Sequence, residues 1–109
     1  MDNKIAIFHP TGIFDNIKYL EFRDDLIKSV TEEKKEIALL DFTGITFMDS
    51  AGLGSLVLLL KAVRSHGAKM VLCHVNEQVQ MLFELTNMDK VFEIFPTQAD
   101  FFAHRGAKS

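Results

Sequence analysis

Ser50 stands between Asp49 and the run Ala51-Gly52-Leu53-Gly54, which places a hydroxyl beside a carboxylate and two glycines. No Gly-x-Ser-x-Gly elbow surrounds it, since the flanking residues are Met48-Asp49-Ser50-Ala51-Gly52, so it is not built as a hydrolase nucleophile. Gly52-Leu53-Gly54 opens like a dinucleotide fingerprint, but Val57 stands where the third glycine belongs, and no Gly-Lys-Ser/Thr phosphate loop occurs. The four histidines, His9, His66, His74 and His104, form no His-x-x-x-His pair, so their spacing points to no metal site. Cys73 is the sole cysteine and lies in the apolar run Met70-Val71-Leu72-Cys73, where it is expected as a buried, reduced thiol. His74 follows it, and strand alternation would send that ring to the opposite face. No catalytic set emerges, and the chain is expected to bind and not to catalyse.

These residues need a scaffold, and the chain can build one. It has 109 residues, nearly half of them hydrophobic and ten of them Phe, which suits one domain with a real apolar core. The net charge of −3 gives no reason to expect direct nucleic-acid binding. No stretch approaches the roughly 20 apolar residues of a membrane span, and no leader-like segment opens the chain, so the cytoplasm is the expected compartment.

Short strand-like runs alternate with helix-like ones. Lys4–Phe8 reads as a strand, followed by a turn at His9-Pro10-Thr11-Gly12. Asp15 and Asn16 offer N-cap oxygens to a helix over about residues 17–30. Its apolar stripe is Tyr19, Phe22, Leu26 and Val30, widened by Leu20 and Ile27. Ile37–Phe42 is apolar apart from Asp41, as in a strand covered on both faces. A turn at Gly44 and an extended piece lead to a second helix, from about Leu53 to Arg64, ending near Gly67. Lys69–Val75 is the third strand, Asn76 caps a helix over about 77–86, and Val91–Phe95 is the last strand. Thr97 and Asp100 form a capping-box-like pair for a helix over about 98–104, with 105–109 a frayed tail. The alternation implies an α/β domain: a four-stranded, mostly parallel sheet with about four helices packed on it.

Asp49 and Ser50 are both good N-cap types for the second helix. Glycines in its first turn cost roughly 1 kcal/mol each against Ala, so something must compensate. Either they permit tight packing of helix on sheet, or they let another molecule's backbone approach Ser50; spacing leaves both open. Leu53, Leu56, Val57, Leu60 and Val63 share one helical face, the expected core face. Leu58 projects to the other side, near Gly54, Lys61 and Ser65, and with Met48 is a candidate partner contact.

Phe47-Met48-Asp49-Ser50-Ala51-Gly52-Leu53-Gly54 resembles the signature Phe/Ile-Met/Ile-Asp-Ser-x-Gly-Leu-Gly of anti-sigma factor antagonists of the STAS family. Thr11-Gly12-Ile13-Phe14-Asp15 is similar to the family's Thr-Gly-x-Leu-Asp, and Asp41, Gly67–Leu72 and Val79–Leu85 also follow its pattern. The resemblance covers nearly the whole chain and implies a single STAS-like domain over residues 1–109. Three positions depart from the pattern. The extra N-terminal strand common in the family has no room before Lys4, so a shorter sheet edge is expected there. Ile13 replaces a commonly acidic residue, and Ala51 replaces a frequent Ser or Thr, which leaves one hydroxyl beside Asp49.

What the resemblance implies is a partner switch. Ser50 is then the phosphoacceptor, and Asp15, Asn16, Met48, Asp49, Ala51, Gly52, Leu53, Gly54 and Leu58 form the partner-binding region. The partners implied are an anti-sigma factor that is also a serine kinase, bound when Ser50 is unphosphorylated, and a serine phosphatase that restores it. ATP and magnesium belong to the kinase, so no cofactor and no metal is expected on this chain, and a monomer is the expected state. Phosphate adds about −1.5 to −2 charges, tolerated at a helix N-terminus but opposed by Asp49 and Asp15 and costly in a desolvated interface. Both acids also stand where helix caps are wanted. The alternative is a constitutive STAS scaffold or subunit in a signalling or lipid-transport complex.

Overall fold

A computed structural model describes residues 4–108. In chain order the elements are β1 (Ile5–Phe8), β2 (Gly12–Phe14), α1 (Asn16–Thr31), β3 (Ile37–Asp41), β4 (Ile45–Met48), α2 (Ser50–Ser65), β5 (Lys69–Cys73), α3 (Glu77–Leu85), β6 (Glu93–Phe95) and α4 (Gln98–Lys108). A 3-10 turn over Met88–Lys90 precedes β6.

Four strands pair in parallel in the order β1-β3-β5-β6, as the alternating pattern predicts. The period of two along the central strands sorts their side chains between two cores. Ala38 and Leu40 of β3, with Met70 and Leu72 of β5, join Leu26 and Val30 of α1, Leu56 and Leu60 of α2, and Val79 and Phe83 of α3. Ile37, Leu39, Val71 and Cys73 face the other way and pack with Phe101 of α4. Three helices therefore cover one face of the sheet and α4 covers the other. This explains why β3 is buried along its whole length and reads as a nearly unbroken apolar run.

Two short strands are set apart. β2 and β4 pair in parallel, with Ile13 opposite Phe47 and Phe14 opposite Met48. The extended piece after Gly44 is β4, whereas three-residue β2 is too short to show a period and reads as the end of a turn. The irregularity between Gly12 and Ile13 is accommodated by Gly12, whose φ of 82 suits glycine.

Several boundaries move for local reasons. α2 begins at Ser50, three residues earlier than expected, because Asp49 caps it there: the Gly52 amide donates to Asp49 Oδ1 at 2.6 Å and the Leu53 amide to Asp49 O at 3.0 Å. β5 ends at Cys73 and not Val75, because His74 takes a left-handed φ of 55 that breaks the strand. β6 starts at Glu93 and not Val91, because the amides of Val91 and Phe92 both donate to Met88 O and close the turn. α4 is capped as expected, with the Asp100 amide donating to Thr97 Oγ1 at 3.0 Å. It runs past the expected tail boundary to Lys108, anchored by Phe101 in the small core and by His104 against the Phe95 ring; Ser109 lies outside the described residues. Within α1, Leu20 is exposed and not part of the core stripe. Within α2, Leu59 is fully buried and Val57 only partly, so the core face is rotated slightly from the expected one.

Candidate functional site

The hydroxyl-bearing residue Ser50 is exposed and is the first residue of α2. Its position is fixed from three sides. Asp49, in an extended conformation, caps the helix from before. From α3, the Gln78 side chain clasps the preceding strand: Met48 N donates to Gln78 Oε1 and Gln78 Nε2 donates to Met48 O, both at 2.9 Å. Asn76 Nδ2 also donates to Ile45 O at 3.0 Å. From α1, Asn16 Oδ1 accepts from the Ser55 hydroxyl at 3.0 Å, which ties the first turn of α1 to the second turn of α2.

The two glycines near Ser50 divide the roles that their spacing leaves open. A β-carbon at Gly52 would lie 1.9 Å from Phe14 O and 3.2 Å from Asp15 Cα, so this glycine lets α2 press on the end of β2. Nothing lies within 4 Å of a β-carbon at Gly54, which faces open space. Asp15 is the N-cap of α1, accepting from the Lys18 amide at 2.9 Å, and the Gly52 contact brings its backbone against the first turn of α2. Asp15, Asn16, Asp49, Gly52 and Ser55 are thus one neighbourhood around the start of α2.

Three residues expected at a partner surface do not reach it, and Gly52, buried against Phe14, is one of them. Met48 is 1% exposed, buried in the main core because Phe14 and Met48 pair on the inner side of β2–β4. Leu53 is also buried. Asn16 is exposed, and on α2 beyond Ser50 the exposed members are Ala51, Gly54 and Leu58, which recur at i, i+3 and i+7 along its outer face. Leu58 is 56% exposed. The alternation that buries Phe14 and Met48 turns their neighbours Ile13 and Phe47 outward, where they pair across the two strands, and Ile17 in the first turn of α1 is exposed too. Sequence reasoning missed this apolar flank. The signal available was the alternation in Ile13-Phe14 and Phe47-Met48, which only the pairing of two very short strands makes legible.

A second polar group occupies the C-terminal edge of the sheet. Asp41 accepts from the Thr43 amide at 2.9 Å, the Thr43 hydroxyl at 2.5 Å and Gln98 Nε2 at 2.6 Å. Burial raises its carboxyl pKa, but these donors, helped by His74, outweigh burial and hold it below the ordinary value. Burial, reinforced by the Asp41 carboxylate, pushes the Cys73 thiol up to about 11, so it is a neutral thiol as expected. The expectation that His74 points away from Cys73 fails. With a left-handed backbone His74 leaves the strand alternation, and its ring comes within 4.8 Å of both Cys73 Sγ and an Asp41 oxygen.

The parallel sheet, the unequal helix layers and the serine at the start of α2 define an α/β domain of the STAS type. The profile of the STAS domain family matches residues 2–101, and the chain belongs to that family. It is 26% identical over 96 residues to the anti-sigma F factor antagonist of Paenibacillus polymyxa, covering 88% of this chain and 82% of that one. It is 35% identical over 66 residues to the anti-sigma-B factor antagonist of Listeria monocytogenes, covering 60% of this chain and 58% of that one. Among solved structures, a sulfate transporter family protein from Wolinella succinogenes superposes with a TM-score of 0.82 at 15% identity, covering 100% of this chain and 92% of that one. The Bacillus cell fate determinant SpoIIAA in its phosphorylated form superposes with a TM-score of 0.70 at 12% identity, covering 95% and 93%. These structural likenesses establish a shared fold. Among the described residues, no helix is long and apolar enough to cross a membrane.

Proposed function

We propose that this protein is an anti-sigma factor antagonist whose grip on its partner is switched by phosphorylation of Ser50. The observation that carries the reading is the exposed Ser50 hydroxyl at the start of a capped helix, within Asp-Ser-x-Gly-Leu-Gly. The names of the Paenibacillus and Listeria relatives support the antagonist role. In this reading the protein acts as a single-domain monomer in the cytoplasm and catalyses nothing. It is the substrate of an anti-sigma factor that is also a serine kinase, and of a serine phosphatase. Asp15, Asn16, Asp49, Ala51, Gly54 and Leu58 lie at the contact, and Gly52 sets its backbone. A phosphate at Ser50 meets the positive end of the α2 dipole, so the fold tolerates it. At an interface the same −1.5 to −2 charges, roughly, meet Asp49 and must be desolvated, which releases the partner. Incubation with the kinase partner and Mg-ATP should add one phosphate, at Ser50, and dissolve the complex. Modification at Thr43, Thr46 or Ser55 instead would overturn the assignment.

The high fold likeness to a sulfate transporter family protein supports a second reading, a STAS scaffold that binds constitutively. A complex that survives in Ser50→Asp favours the scaffold.

A further inference from the structure

We propose that Asp41, Cys73 and His74 form a binding site for one borderline divalent transition metal, of the Zn2+ class, at the C-terminal edge of the main sheet. The site is separate from Ser50 and rests on different residues.

The backbone places the three donors together. Asp41 and Cys73 are direct partners in the parallel register of β3 and β5. Asp41 has the same parity in β3 as Ile37 and Leu39, and Cys73 the same as Val71, so both belong to the sheet face covered by α4. His74 follows with a φ of 55, which ends the strand and folds the ring back beside its neighbour. One carboxylate oxygen, the Cys73 sulfur and one His74 nitrogen then all lie within 4.8 Å of one another. Tetrahedral zinc with bonds of about 2.0–2.3 Å sets its donors about 3.3–3.8 Å apart, so a contraction of about 1 Å seats the ion.

The chemistry of the donors selects the metal. One sulfur, one nitrogen and one oxygen suit zinc, whereas magnesium and calcium require oxygen shells. The carboxylate is already oriented: Thr43 donates twice to Oδ1 and Gln98 once to Oδ2, which leaves Oδ2 a lone pair for a ligand. Donors of this kind aim ligating carboxylates in metal sites. On the open side, His9 follows β1 and places its Nδ1 3.8 Å from Asp41 Oδ2, where it or a water completes four-fold coordination. Cys73 and Asp41 are buried and His74 partly so. On binding, the Cys73 S–H bond breaks, the proton passes to solvent and the sulfur lone pair bonds the ion; no redox change is involved.

The test uses the full chain, stripped with EDTA and titrated with Co2+ and then Zn2+. One Co2+ should bind per chain, with a thiolate-to-cobalt charge-transfer band and the intense visible bands of a tetrahedral ion. One equivalent of Zn2+ should bleach both, and Zn2+ should raise the melting temperature. Cys73→Ser should abolish the charge-transfer band. His74→Asn is the second variant, because Asn tolerates the left-handed backbone; it should stay folded by circular dichroism and bind Zn2+ at least about tenfold more weakly. Absence of the charge-transfer band in the wild type, or an unchanged Zn2+ affinity in His74→Asn, would overturn the proposal.

Discussion

Gly52 rests directly on the main chain of Phe14: a β-carbon at residue 52 would come within 1.9 Å of the Phe14 carbonyl oxygen and 2.8 Å of its carbon. That carbonyl ends β2, so the contact sets the distance between the small two-strand sheet and the helix that carries Ser50. Two residues later a β-carbon at Gly54 would meet nothing within 4 Å outside its own helix. One glycine is demanded by packing inside the molecule, and the other leaves the outer face bare.

The two glycines should therefore respond oppositely to alanine. Gly52→Ala gains helix propensity but forces α2 away from a carbonyl that cannot rotate aside. It should lose about 2 kcal/mol or more of stability. Gly54→Ala, helical and unobstructed, should gain up to about 1 kcal/mol. Urea unfolding midpoints of the two variants would show the difference in sign. If Gly54 faces a partner, Gly54→Ala should also weaken that complex while stabilising the free protein.

Gln78 is the clasp on β4. Gln78→Ala leaves the amide and carbonyl of Met48 without their partner, since Gln78 serves both. The expected loss is about 1–3 kcal/mol. Hydrogen exchange should report it locally, with the Met48 amide exchanging faster than in the wild type. An unchanged rate at Met48 would mean that the clasp does not hold in solution.

Much of this was legible in the sequence and some was not, for physical reasons. The main sheet was readable because β3 and β5 are long enough to show burial on both faces, and the caps Asp15, Asn76 and Thr97 because a side-chain oxygen three residues before an amide is a local signal. Asp49 was read as a possible cap and is one. Met48 was misplaced because its burial depends on pairing with Phe14, thirty-four residues away. The Asp41–Cys73–His74 cluster was invisible for a similar reason: two donors come from different strands, and the third joins them only because one backbone angle turns positive. The clasp by Gln78 links residues thirty apart with no periodic trace.

Asp41 should matter to stability apart from any ligand. It is 6% exposed and accepts hydrogen bonds from Thr43 and Gln98. In Asp41→Asn one acceptor becomes an NH2 group, so the Gln98 amide must turn over to accept from it, and all three hydrogen bonds lose the carboxylate charge. In chelator-treated protein the change should cost about 1.5–3 kcal/mol, the range for hydrogen bonds to a charged group. Thr43→Val should cost less, because it removes one donor and leaves the Thr43 amide and Gln98 in place. Thermal melts of both variants would check the order.

The outer face of α2 gives the sharpest test of mechanism, because Leu58 lies exposed on it while Met48, which ends the strand before the helix, is buried in the main core. Met48→Ala empties part of the main core and should cost about 2–5 kcal/mol of stability. Leu58 is 56% exposed, so Leu58→Ala should leave the melting curve near that of the wild type. If Leu58 is a peripheral contact, the same change should weaken partner binding by about 1 kcal/mol, roughly fivefold. Ser50→Asp places a carboxylate where the phosphate would stand, on an exposed residue at the positive end of the helix, and should also fold normally. It should weaken binding far more than Leu58→Ala, yet less than phosphorylation, since a carboxylate carries less charge and fewer acceptor oxygens. Ser50→Ala adds no charge and should bind like the wild type while resisting the kinase. Calorimetric titration of the four variants against the anti-sigma partner, with a melt of each, separates the effects. Full-strength binding by Ser50→Asp would exclude a switch driven by charge at this residue, and unchanged binding by Leu58→Ala would move the interface off this face of α2 and toward the exposed Ile13–Phe47 pair.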